Sequence, residues 1–218
     1  MARRTKQEAD ETREALLNAA ERVFLKRGVA RASLDEVARV AGCTRGAVHW
    51  HFGDKLGLFL ALDERLFLFQ DELRQALMAD GECMKLSRFA EVILVCIARL
   101  EHDEGRRRLL TVMWQRCEYV DEMAPALERR RRADVAISDV FRQCFEQAME
   151  RGELAPYWQP SQAALFLHAL MVGFLTEWLR SDAAFSLSDQ VRGGLKMFFS
   201  CLSGIPPSNA QPTVFATA

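Results

Sequence analysis

No two of the six cysteines form a CxxC pair, so neither a zinc knuckle nor a thioredoxin-like motif is indicated. Cys43, Cys83, Cys96, Cys117, Cys144 and Cys201 are scattered along the chain. Four of them fall within apolar periodic stretches, where a free thiol acts as a small hydrophobe. Reduced thiols in a cytoplasmic protein are expected, and a redox role is considered for Cys43 alone. No basic segment followed by an apolar one opens the chain, so no secretory signal is expected. The longest uncharged apolar run, 163–176, falls short of the roughly 18–20 residues that span a bilayer. It reads as a buried core or interface helix, and no membrane partner is expected. There is no Gly-rich phosphate loop, no HExxH and no nucleophile elbow. Nothing nominates a reaction, a metal or a cofactor, and an enzyme is not expected. Strand-like alternation and internal repeats are also missing.

Net charge is nearly absent as well, at −1 over 218 residues. That balance hides an asymmetry. Through Lys55, eleven Lys and Arg stand against eight Asp and Glu, and beyond it eighteen stand against twenty-two. A mildly basic front and an acidic back fit a nucleic-acid-binding head on a neutralising body.

What is present is helical periodicity. Residues 1–11 are polar, with Arg3, Arg4 and Lys6 in front, and read either as an arm that touches phosphate or as a solvated tail. From about Thr12 a helix is predicted, its stripe of Leu16, Ala20, Val23 and Phe24 facing a core, with Gly28 as its stop. Ser33 and Glu36 form a capping-box pair that starts a second helix, ending at Gly42. Thr44 caps a third. Two short helices joined by a Gly-containing turn make a helix-turn-helix, and the second of them enters the major groove.

Spacing assigns roles within 44–52. Ala47, Val48 and Phe52 pack back onto the first two helices. Arg45 and His49, four apart, share an outward face, and Thr44 sits where side chain and backbone N–H meet a phosphate. Arg45 is the candidate for bidentate contact with a guanine edge. Trp50 and His51 are expected to clamp the sugar-phosphate backbone, and Lys55 to grip a phosphate. His49 and His51 point apart on a helix and make a poor metal pair.

Residues 12–62 resemble the DNA-binding domain of the TetR family of bacterial repressors. The matching residues are Gly28-Val29, Ser33-Leu34, Val37-Ala38 through Ala41-Gly42, Thr44-Arg45-Gly46-Ala47, Trp50-His51-Phe52, and Lys55 before Leu58-Phe59. The opening Ala2-Arg3-Arg4-Thr5-Lys6 and the Thr-Arg-Gly-Ala-x-x-Trp-His-Phe form are similar to the branch that represses multidrug efflux operons. His49 stands where the family usually has Tyr. Gly57 stands where an acidic residue is commoner, which weakens the first turn of the next helix. The resemblance implies that Ser33, Thr44, Arg45, Gly46, His49, Trp50, His51 and Lys55 face DNA. It further implies a cytoplasmic homodimer on a palindromic double-stranded operator, released by a hydrophobic small molecule.

Beyond Lys55 a long helix is predicted to about Ala79, then helices near 85–101, 106–118, 122–151, 160–180 and 188–202. The expectation is therefore an all-α protein of about nine helices. A three-helix helix-turn-helix domain (1–54) precedes a ligand-binding and dimerisation domain (55–204) and a disordered C-terminal tail (205–218). Inward stripes of the middle helices nominate an effector site. Its apolar part is Leu66, Phe69, Leu73, Phe89, Ile93, Cys96, Leu110, Met113, Trp114, Cys117, Ile137, Phe141, Met171 and Trp178. His168 and Glu177, with Gln115 and Glu118, are its polar candidates. The runs 106–108 and 129–132 spray basic side chains around their helices and are expected to be solvated or ion-paired. The 160–180 helix is apolar almost all round and, with the 188–202 helix, is the expected homodimer interface as a four-helix bundle. The alternatives are a regulator of a catabolic or lipid-metabolism operon with a dedicated effector, and a helical enzyme or metal bundle carrying a vestigial head.

Overall fold

In a computed structural model, residues 6–79, 82–83 and 85–203 are described, apart from the side chains of 67–71, 79 and 82–83. Arg3, Arg4, the expected tail at 205–218 and the side chain of Phe69 lie outside the described residues. Among the described residues the chain is all-α, with nine α-helices. These are α1 (Lys6–Arg27), α2 (Leu34–Val40), α3 (Arg45–Phe52), α4 (Lys55–Leu77), α5 (Leu86–Glu101), α6 (Glu104–Gln115), α7 (Ala124–Glu150), α8 (Pro160–Arg180) and α9 (Leu187–Leu202). A 3-10 turn, Asp121–Met123, leads into α7. A minimal antiparallel pair, β1 (Met78–Ala79) with β2 (Glu82–Cys83), follows α4. Two residues per strand are too few to leave the period of two that marks a strand in sequence.

Helix starts follow local chemistry. Ser33 accepts from the N–H of Glu36, and Thr44 from the N–H of Ala47. Asp54 and Asp103 do the same for α4 and α6, each satisfying one of the four N–H groups a helix leaves free. The start of α1 lies earlier than the expected Thr12. Its first turns are held by Thr12 Oγ1 donating to the Glu8 carbonyl at 2.7 Å and Gln7 donating to Glu11 at 3.1 Å, and Glu8 suits the positive end of the helix dipole.

Two apolar cores result. The first gathers Leu16, Leu17 and Phe24 of α1, Val37 of α2, Val48 of α3, and Leu58, Phe59 and Leu62 of α4. It is closed by Leu109, Val112 and Met113 of α6, so it does not stop at residue 54. The second holds Phe89, Ile93, Phe141, Phe145, Leu167, Trp178, Val191 and Leu195. Glu101, at the end of α5, accepts from the N–H groups of Leu187 and Ser188 at 2.7 and 3.0 Å and so caps α9 from outside. On α8, Leu165 and Phe166 are exposed, as is Met197 on α9. By length and composition alone α8 suffices to cross a bilayer, because the residues flanking the uncharged run at 163–176 extend it.

Candidate nucleic-acid interface and apolar cavity

Helix α3 is anchored by one side and open on the other. Val48 is fully buried in the first core, while Thr44, Arg45, Gly46, His49 and Trp50 are exposed. Trp50 retains 73% of its surface, which leaves a large aromatic ring on the open face. Its ring stands edge-on to His51, with centroids 4.4 Å apart. Arg45 reaches across the turn to Asp35 of α2 at 3.1 Å and donates to His49 Nε2 at 3.5 Å. His49 Nδ1 faces the Gly53 carbonyl. Since a carbonyl only accepts and a guanidinium only donates, this arrangement needs the Nδ1–H tautomer. Gly42 and Gly53, at φ of +67° and +78°, bound α3 with turns that other residues enter only with strain.

Lys55 is placed differently from the rest of that face, whereas Ser33 is exposed like Thr44. Lys55, whose side chain keeps only 16% of its surface, pairs with Glu122 at 2.9 Å and donates to the Ala30 carbonyl at 3.3 Å. The hydroxyl of Ser33 is engaged in capping α2.

The body contains an apolar cavity of about 140 Å³. Of the expected residues, Leu66 and Leu73 (α4), Ile93 and Cys96 (α5), Leu110, Met113 and Trp114 (α6), Ile137 and Phe141 (α7), and His168 and Met171 (α8) line it. Others lie elsewhere. Phe89 belongs to the same α5 stripe but sits beyond the cavity, where its ring meets Phe141, Phe145 and Phe199. Trp178 is buried in the second core further along α8. Cys117 packs beside the first core, where burial pushes its thiol up to about 11. Glu177 is off the His168–Met171 stripe by helical phase, is exposed, and pairs with Arg180. Gln115 and Glu118 are exposed too.

The cavity also has a polar wall, which the apolar stripes do not reveal. Asp63, Tyr119, Arg130 and Asp134 all line the cavity. The 129–132 run thus divides. Arg132 pairs with Glu128 on the surface and Arg129 with Asp63, whereas Arg130 turns inward. Its guanidinium lies 4.9 Å from the Trp114 ring centroid and 5.7 Å from that of Tyr119, within cation–π range. The signal available in sequence was phase, since Arg130, Asp134, Ile137 and Phe141 recur at i, i+4, i+7 and i+11. Burial raises the Asp63 carboxyl against the pull of Arg129 and pushes the Tyr119 phenol up to about 12. The cavity can therefore take an apolar body and offer it both a cation and acceptor oxygens.

A family model described as bacterial regulatory proteins, tetR family, matches residues 16–62. Another, described as the C-terminal region of MAATS-type transcriptional repressors, matches residues 85–203. The chain is 40% identical over 185 residues to the HTH-type transcriptional repressor BepR of Brucella suis biovar 1 (strain 1330), covering 85% of this chain and 88% of that protein. Its fold is similar to that of NalD, the secondary repressor of the MexAB-OprM multidrug efflux pump in Pseudomonas aeruginosa. That likeness has a TM-score of 0.81 and 34% identity over 92% of this chain and all of the other. It is also similar to SmeT in complex with triclosan, with a TM-score of 0.77 and 28% identity over 92% of this chain and 98% of that one; SmeT is the repressor of the Stenotrophomonas maltophilia multidrug efflux pump SmeDEF. The exposed face of α3, the helical body and these likenesses converge, and the chain belongs to the TetR family of bacterial transcriptional regulators and is not an enzyme.

Proposed function

We propose that this protein is a cytoplasmic, dimeric repressor of a multidrug efflux operon, released from a palindromic operator by hydrophobic small molecules. One observation carries the reading. Helix α6 closes the core beneath the helix-turn-helix with Leu109, Val112 and Met113, and it lines the cavity with Leu110, Met113 and Trp114. Met113 takes part in both. A ligand that displaces α6 therefore displaces the floor of the DNA-reading unit. The division of labour is 1–54 for reading DNA and 55–204 for ligand and dimer.

Size gives the coupling its direction. The cavity of about 140 Å³ is close to one that admits a single benzene ring, while drug-sized ligands take roughly 300–1,000 Å³. Larger effectors must push its walls apart. In a dimer held through the exposed apolar faces of α8 and α9, tilting α4 alters the spacing of two α3 helices. Those must match half-sites about 34 Å apart. Coupling of about 1–3 kcal/mol gives a 5- to 150-fold change in affinity. Within the head, Arg45 reads a base edge, Trp50 and His51 brace the backbone, and Thr44 and Lys55 meet phosphate. Support from relatives is that BepR, NalD and SmeT carry repressor names, two of them for efflux pumps. The test is binding of the protein to DNA upstream of its own gene, with thermal shifts against unrelated hydrophobic compounds. Specific binding with several compounds raising Tm is expected; no specific binding overturns the reading, and stabilisation by one compound class alone points to a dedicated effector.

A further inference from the structure

The segment between α6 and α7 touches the cavity with one side and the DNA-reading head with the other. Its Arg116 carbonyl accepts the N–H of Val29, in the α1–α2 turn, at 2.8 Å, and Val29 is fully buried. Tyr119 lies edge-on to Phe59 of α4 with centroids 6.1 Å apart, donates to the Met113 carbonyl at 2.6 Å and lines the cavity. Three residues on, Glu122 holds the ammonium of Lys55 at 2.9 Å. Glu122 itself is more than half exposed, so it is free to let go.

We propose that Glu122 is a positioning residue that stands in for an operator phosphate, competing with DNA for Lys55 under control of the cavity. This rests on the reading that Lys55 meets phosphate in the complex. A carboxylate and a phosphate oxygen make the same charge-assisted bond to an ammonium, so the two states of Lys55 exclude each other. Binding the operator requires Lys55 to leave Glu122. A ligand pressing on Tyr119 and Arg130 moves the segment that carries Glu122, and so sets how readily that exchange occurs. The body thus handicaps the head through one ion pair, in addition to any change in half-site spacing.

The test is a double-mutant cycle on operator affinity, measured by fluorescence anisotropy at fixed salt, with Glu122→Gln and Lys55→Gln singly and together. Thermal melts confirm that each variant folds. Lys55→Gln weakens binding, because a phosphate contact is lost. Glu122→Gln in the Lys55 background tightens binding roughly two- to five-fold per protomer, the range for an exposed ion pair. In the Lys55→Gln background the same change does nothing. An equal gain in both backgrounds overturns the proposal, since it means only that a negative charge near DNA was removed. No gain in either background overturns it as well. A wild-type protein that fails to bind any operator is a different failure, that of the repressor reading itself.

Discussion

Oδ2 of Asp63, on the helix that leaves the DNA-reading head, lies 2.8 Å from Nε of Arg129 on α7. Both side chains are about two-thirds or more covered, and Asp63 lines the cavity. Burial raises the Asp63 carboxyl above its ordinary 3.8, the dominant influence, with Arg129 pulling the other way.

The sign of that shift gives a pH prediction. A carboxyl raised in the folded state binds its proton more tightly there than in the unfolded chain. Its contribution to stability is therefore complete below the unfolded value and declines as pH rises through the folded one. The stability difference between wild type and Asp63→Asn should fall as pH climbs above about 4, read from Tm across an acid series. A difference that grows over the same window would mean that Arg129, and not burial, governs Asp63.

Tyr119 offers a direct probe of the cavity wall. Tyr157 is the only other tyrosine, so Tyr157→Phe isolates one phenol. Burial is the main cause that pushes Tyr119 up to about 12. Rapid alkaline titration at a phenolate absorption band should show a single ionisation there. A midpoint near 10, the ordinary value for tyrosine, would place Tyr119 in solvent and remove it from the cavity.

By helix propensity alone, Gly57 is a weak point in the first turn of α4. Its surroundings say otherwise. A Cβ at this position would overlap the carbonyl oxygen of Phe52, and the Gly57 N–H is held by Asp54 at 2.7 Å. Alanine would gain up to about 1 kcal/mol in helix propensity, but the overlap is with backbone and cannot be relieved by rotating a side chain. Gly57→Ala should therefore lose about 1–3 kcal/mol in denaturant unfolding. Stabilisation would show that the turn relaxes freely.

Arg45→Ala should separate reading from folding. The side chain is 61% exposed and its partner Asp35 63% exposed, so their ion pair contributes little to stability. Tm should stay within about 2 °C, while discrimination between operator and a mismatched duplex drops by about 1–3 kcal/mol. Unchanged discrimination would move base reading off this residue.

The parts legible in sequence are those fixed by near neighbours. Ser33 and Thr44 announce their helices because a cap is settled within three residues. The stripe of Leu16, Ala20, Val23 and Phe24 shows which face of α1 is inward because helical phase is local. Tertiary partners are not local. Phe89 and Ile93 share a stripe, yet only the packing of α9 and α7 decides that Phe89 joins an aromatic core and Ile93 meets the cavity. Arg130 looks like its surface neighbour Arg132 until Trp114 and Tyr119 are brought beneath it. Lys55 sits at a helix N-terminus in sequence, and nothing there tells that Glu122, far along the chain, will hold it.

If the cavity governs the grip of α3 on DNA, operator affinity must respond to what fills it. The decisive measurement is operator affinity with and without a hydrophobic compound that raises Tm, alongside that compound's own binding to wild type and Leu110→Trp. The compound should weaken the operator complex by about 5- to 150-fold, and filling the cavity at Leu110 should abolish both its binding and its effect. Binding in the cavity with operator affinity unchanged would refute the coupling.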